Sequence, residues 1–139
     1  MVVCISGDNI RKELAYSVIV HCYNQLIPSH DINIDVLLRT LETKRTDGWC
    51  QHNNGINYEI SVDKSLSTNQ FIKTLCHEMV HVKQGVKNEL VEQYTTKYQR
   101  LWKGTTCDEY DLSSPPWELE AYQLEEELYN SFMEQNEKK

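Results

Sequence analysis

Phe71-Ile72-Lys73-Thr74-Leu75-Cys76-His77-Glu78-Met79-Val80-His81-Val82-Lys83-Gln84 is the stretch on which the reading of this chain turns. Advancing about 100° per residue, Ile72, Leu75, Met79, Val82 and Val86 gather on one side, and Gln70, Thr74, His77, His81 and Gln84 on the other. Histidines four residues apart lie on one helical face, so their imidazoles can converge on a single metal ion. Glu78 projects between them and can take the proton of a metal-bound water. The histidines form a polar stripe on a helix whose back is anchored in a core, which is where ligands belong. Ser67-x-x-Gln70 is a capping-box match that places the stripe about two turns into the helix, expected over 68–86.

A zinc site that works on a substrate has three protein ligands and an open position. The third is sought in the last helix, expected over 115–133, with Ser114 as N-cap and Pro115 at the first helical position. Counted by angle, Ala121, Tyr122, Leu124, Leu128, Tyr129, Phe132 and Met133 flank Glu118, whereas Glu120 falls on the opposite, solvated side with Glu127. A carboxylate in the middle of an apolar face is expensive unless it is paired or bound to metal. Glu118 is therefore the expected ligand. Glu125 shares the inner face and is a candidate to orient a ligand histidine or to meet substrate.

The chain has 139 residues, 40% hydrophobic and 25% charged, which suggests one domain over 1–139. Its 21 acidic against 14 basic residues give a formal charge of −7, a balance that opposes strong sequence-independent binding to nucleic acid or an anionic membrane. Five widely spaced cysteines without a C-x-x-C pair argue against a disulfide framework and for a reducing compartment. Met1-Val2-Val3-Cys4-Ile5 is too short for a signal sequence and no run is long enough to span a bilayer, so a cytoplasmic protein is expected.

Periodicity predicts N-terminal helices within 8–43. The first, capped by Asp8 or Asn9, runs to about Leu26 and ends before Pro28; the second, opened by Asp31, carries Ile34, Leu37, Leu38 and Leu41. His21 in the first helix and His52 near a turn are read as packing or surface residues. Asn53-Asn54-Gly55 separates Gly48–His52 from the alternating Ile56, Tyr58, Ile60 and Val62, a hairpin over about 48–62. Leu90, Val91, Tyr94, Tyr98, Leu101 and Trp102 recur at helical spacing, up to a break at Lys103-Gly104. The expected fold is α+β, mostly helical, with a small sheet packed on the His-Glu-x-x-His helix.

Gly48-Trp49-Cys50, the strand Ile56–Val62, Thr74–His81 and Pro116-Trp117-Glu118-Leu119-Glu120-Ala121 together resemble a minimal zincin metallopeptidase. Over roughly Gly48 to Tyr122 the order is similar to compact gluzincins, to SprT-like proteins and to phage- or virus-encoded single-domain peptidases. The chain departs from SprT-like proteins in having no histidine after His81, and from metzincins in lacking the His-x-x-Gly-x-x-His extension.

The resemblance implies a zincin-like fold and a peptidase, an endopeptidase ahead of an exopeptidase. One Zn²⁺ on His77, His81 and Glu118 would activate a water for attack on a peptide bond, with Glu78 as general base. The strand before the active helix would line the cleft for an extended peptide or protein substrate, and Tyr110 would be the candidate to stabilise the oxyanion. Two rivals are a non-catalytic, zinc-stabilised interaction module and a SprT-like DNA-associated protease.

Overall fold

The computed structural model describes residues 1–41, 47–94, 98–106 and 115–137, excepting the side chains of 93, 94 and 98. Among them are three helices and two small sheets, a mixed α and β architecture with more strand than the mostly helical expectation. A four-stranded sheet, in the order β1-β2-β4-β3, is built from β1 (Val2–Gly7), β2 (Asn33–Arg39), β3 (Gly48–Asn54) and β4 (Asn57–Asp63). β2 runs parallel to both β1 and β4, and β3 pairs antiparallel with β4 as the expected hairpin. Its turn uses Gly55 at φ +48°, the left-handed region that glycine enters without steric cost.

The second helix expected near Asp31 is instead the strand β2. Ile34, Val36 and Leu38 are buried while Asp35 and Arg39 are exposed, a period of two. A short apolar run fits both periods, and here pairing on both edges decides for the strand. The apolar N-terminal residues form β1, at the edge of the sheet remote from β3. The first helix, α1, spans Lys12–Leu26, later than expected; Asp8 accepts from Ile10 N (3.1 Å) in a local turn and does not cap it.

The central helix, α2 (Thr68–Val86), matches its expected span, and Ser67 Oγ accepts from Gln70 N (3.3 Å). The box is only half made, because the Gln70 side chain donates outward to Asp47 Oδ2 (3.1 Å). The core lies between one sheet face and the helices: Val18, Ile19 and Cys22 from α1, Leu75, Cys76 and Met79 from α2, and Val36 and Ile60 from the sheet are all fully buried. Each such side chain contributes about 1.5–3 kcal/mol by leaving water, so the back of α2 is firmly held. The thiols of Cys22 and Cys76 meet there at 3.7 Å.

Helical spacing over Leu90–Trp102 also gives way to strands. β5 (Leu90–Tyr94), β6 (Tyr98–Trp102) and β7 (Thr105–Thr106) form a second, antiparallel sheet. Asn88, at φ +57°, ends the helical path of the chain, and Lys103 and Gly104 at φ +48° and +88° make the paired left-handed turn of a tight hairpin. The last helix, α3 (Pro116–Glu137), packs along α2 and buries Trp117, Ala121, Leu128 and Phe132. The proposed cap Ser114 lies outside the described residues. No helix among those described is long and apolar enough to cross a membrane.

Candidate metal centre

His77 and His81 project from the front of α2, with rings 5.0 Å apart and nearly perpendicular. Both turn Nε2 toward the carboxylate of Glu118, one residue into α3 from Trp117: His81 Nε2 lies 2.7 Å from Oε1 and His77 Nε2 lies 3.2 Å from Oε2. The ligand-capable atoms of His77, His81 and Glu118 all fall within 4.8 Å of one another, so this group could hold a metal ion. Tetrahedral ligands at bond lengths near 2.1 Å stand about 3.4 Å apart, which these side chains can meet by small adjustments.

The outer nitrogens show why the fit is good. His77 Nδ1 donates to Glu125 Oε1 (2.9 Å), and His81 Nδ1 lies 2.8 Å from Gln84 Oε1. With a proton held on each Nδ1, a neutral ring keeps its lone pair on Nε2, and both lone pairs face the carboxylate. Three electron-rich groups pointed at one place require a cation there, either a metal ion or protons. Without an ion, the raised pKa values of the two histidines favour protons there. Burial works against charging His77, but the Glu118 and Glu125 carboxylates outweigh it and push its pKa up to about 10. His81 is raised as well: burial opposes this, and Glu118 and Glu78 override it. Hydrogen bonds from His77 and His81 hold Glu118 well below the usual carboxylate range, against its own burial.

Glu78 is 6% exposed and is not part of the group of converging ligand atoms. Burial raises its pKa, while His81 and His77 pull it down. The four side chains His77, Glu78, His81 and Glu118 line one open cavity of about 540 Å³. Its far wall is β3, through Gly48, Trp49 and Cys50, and its rim carries Tyr122, whose ring lies 4.8 Å from that of His77. Burial and the nearby Glu78 push the Cys50 thiol up. A second cavity of about 500 Å³ adjoins the first, sharing Cys50, His81 and Glu118, and reaches Tyr58, Val91 and Trp117.

The structure brings His77, Glu78, His81, Glu118 and Glu125 together. Glu120 is not the solvated carboxylate that helical angles suggested: it accepts from Lys83 Nζ (2.8 Å) and from Gln84 Nε2 (3.1 Å). The strand bordering the cavity is also a correction. β4 lies between β2 and β3, so among the described strands the edge bordering the cavity is β3. His21 lines neither cavity, whereas His52 lines the second. His21 bonds Gln135 and Ser131 of α3, and His52 bonds Gly55 O and stacks on Tyr58. Tyr110 lies outside the described residues. Sequence reasoning missed Gln84, Tyr122 and the close seat of Gly48. Gln84 and Tyr122 carried a signal, standing at i+3 and i+4 from His81 and Glu118. Compared with family models, curated proteins and solved structures, the chain matches none of them.

Proposed function

We propose that this protein is a zinc-dependent peptidase of zincin-like architecture, acting on a peptide or protein substrate. The observation that carries the reading is Glu78: a carboxylate 6% exposed, one residue from a ligand-type histidine, facing the same cavity as His77, His81 and Glu118. Two neutral imidazoles and one carboxylate are a set suited to Zn²⁺, and they leave a position free. When bound, the ion polarises the scissile carbonyl and brings the pKa of a water to about 7.

The remaining steps belong to the chain. Glu78 takes a proton as the water oxygen adds to the carbonyl carbon, and passes it to the amide nitrogen as the C–N bond breaks. Products are one carboxylic acid and one amine, with no net change in Glu78. Among the described strands β3 is the sheet edge that borders the cavity, where an extended polypeptide can add as a further strand. Cavities on both sides of Glu118 give room for chain on either side of the scissile bond, which suits an endopeptidase.

Replacing Glu78 by Gln is the decisive experiment. Zinc stoichiometry should be retained while cleavage of unstructured protein substrates is lost, by at least two orders of magnitude for a general base. Hydrolysis that survives the change would remove the assigned role. Zinc bound by the wild type without any hydrolysis would favour a module in which the ion joins α2 to α3.

A further inference from the structure

Among the described residues Gln84 is the largest polar side chain buried completely, at 0% exposed, and it lies one turn beyond His81. Its amide has one self-consistent orientation. Nε2 donates to the Trp117 carbonyl (2.9 Å) and to Glu120 Oε1 (3.1 Å), both of which only accept. Reversing the amide would set its oxygen against two acceptors. Oε1 is thereby fixed toward His81 Nδ1 at 2.8 Å, and an amide oxygen can only accept, so Nδ1 carries the proton.

We infer that Gln84 is the positioning residue for His81: it fixes the ring and the tautomer that present Nε2 at the metal position. Glu120 extends the device. Its carboxylate holds the Gln84 amide and is held by Lys83 Nζ, which also pairs with Glu89 at the start of the second sheet. The ion pair between Lys83 and Glu120 therefore supports the metal centre from behind, joining α2 to α3 at the level of His81. The two histidines are oriented differently, His77 by the carboxyl group of Glu125 and His81 by an amide. The inference rests on the metal-site reading above, and the experiment separates the two.

The probe is Zn²⁺ itself, in competition with a chromogenic chelator, for the wild type and Gln84→Met. Methionine fills nearly the same volume, and its thioether is only a weak acceptor for Nδ1–H. Loss of such a partner typically weakens metal affinity by about 10–100-fold, and that loss is expected here. Gln84→Glu restores an acceptor but gives up both donor bonds, and should bind zinc more tightly than Gln84→Met. Long-range ¹H–¹⁵N spectra of zinc-loaded wild type provide a readout that needs no variant: His81 should show a slowly exchanging Nδ1–H with the metal on Nε2. Thermal unfolding of the metal-free proteins reports on general stability. Metal on His81 Nδ1, or equal zinc affinity in wild type and Gln84→Met, would overturn the inference while leaving the metal site intact. Failure of the wild type to bind zinc at all would overturn the metal-site reading itself.

Discussion

His77 Nδ1 donates to Glu125 Oε1 at 2.9 Å across the seam between α2 and α3, while the other nitrogen of the same ring faces Glu118. One imidazole thus meets two inward carboxylates of one helix, seven residues or about two turns apart. The first is placed to share a cation with the ring and the second to fix how the ring is turned. Glu125→Ala should leave the protein able to bind zinc but with affinity lowered by about 10–100-fold. Chelator competition on the purified variant measures this. An unchanged affinity would reduce Glu125 to a bystander.

Glu118 and Glu120 are two residues apart and make a sharper pair. Glu118 reaches both histidines; Glu120 reaches Lys83 and Gln84. Glu118→Ala should lose stoichiometric zinc after gel filtration. Glu120→Ala should keep the ion, with affinity weakened only through the freed Gln84 amide. The reverse pattern would exchange the two assignments.

The site was legible in sequence because helical periodicity is strict and its parts sit on two well-patterned helices. Counting angles places His77, His81, Glu118 and Glu125 on facing stripes without knowledge of the fold. The rest was not legible for separate reasons. Ile34–Leu41 satisfies helical and strand spacing alike, and only its two strand partners decide between them. Leu90–Tyr94 and Tyr98–Trp102 form strands flanked by left-handed backbone at Asn88 and at Lys103-Gly104, a local choice that side-chain periodicity does not record. Glu120 was misjudged because the angle of a residue on its own helix says nothing of Lys83 approaching from another.

The protons of the ion-free centre predict a pH dependence. The pKa of His77 is raised from about 6.5 in an unfolded chain to about 10 in the folded one. Its stabilising contribution is thus fully present below about 6.5 and is lost as pH climbs through the folded value. His81 shifts in the same direction. Glu118 shifts downward, so its contribution is present above the ordinary carboxylate range and is lost only in strong acid. In the presence of a chelator, melting temperature should fall as pH rises from about 6.5 toward 10. Zinc should abolish most of that fall, because neutral imidazoles are what the ion needs. A melting temperature with chelator that stays level or rises over this range would contradict the proton-filled centre.

Gly48 sets the distance between the cavity's two walls. A Cβ there would stand 2.6 Å from the Ser61 carbonyl oxygen and 2.8 Å from Thr74 Cγ2, so β3 lies against α2 as only glycine permits. Thr74 is buried and precedes His77 by one turn, and the neighbouring Asp47 is tied to Gln70 on the preceding turn. Gly48→Ala must push the start of β3 off the helix, since neither the sheet carbonyl nor a buried threonine can give way cheaply. Overpacking of this kind typically costs about 1–3 kcal/mol, which should lower the melting temperature of the metal-free protein by several degrees. Because His77 and His81 are held by α3 and by Gln84 rather than by β3, zinc affinity should change little. Peptide hydrolysis should fall mainly through a higher KM, as the strand edge that receives substrate moves away from Glu78. Measuring melting temperature, zinc affinity and KM on the same variant tests all three links. An alanine variant as stable as wild type would show that β3 does not need its close seat on α2.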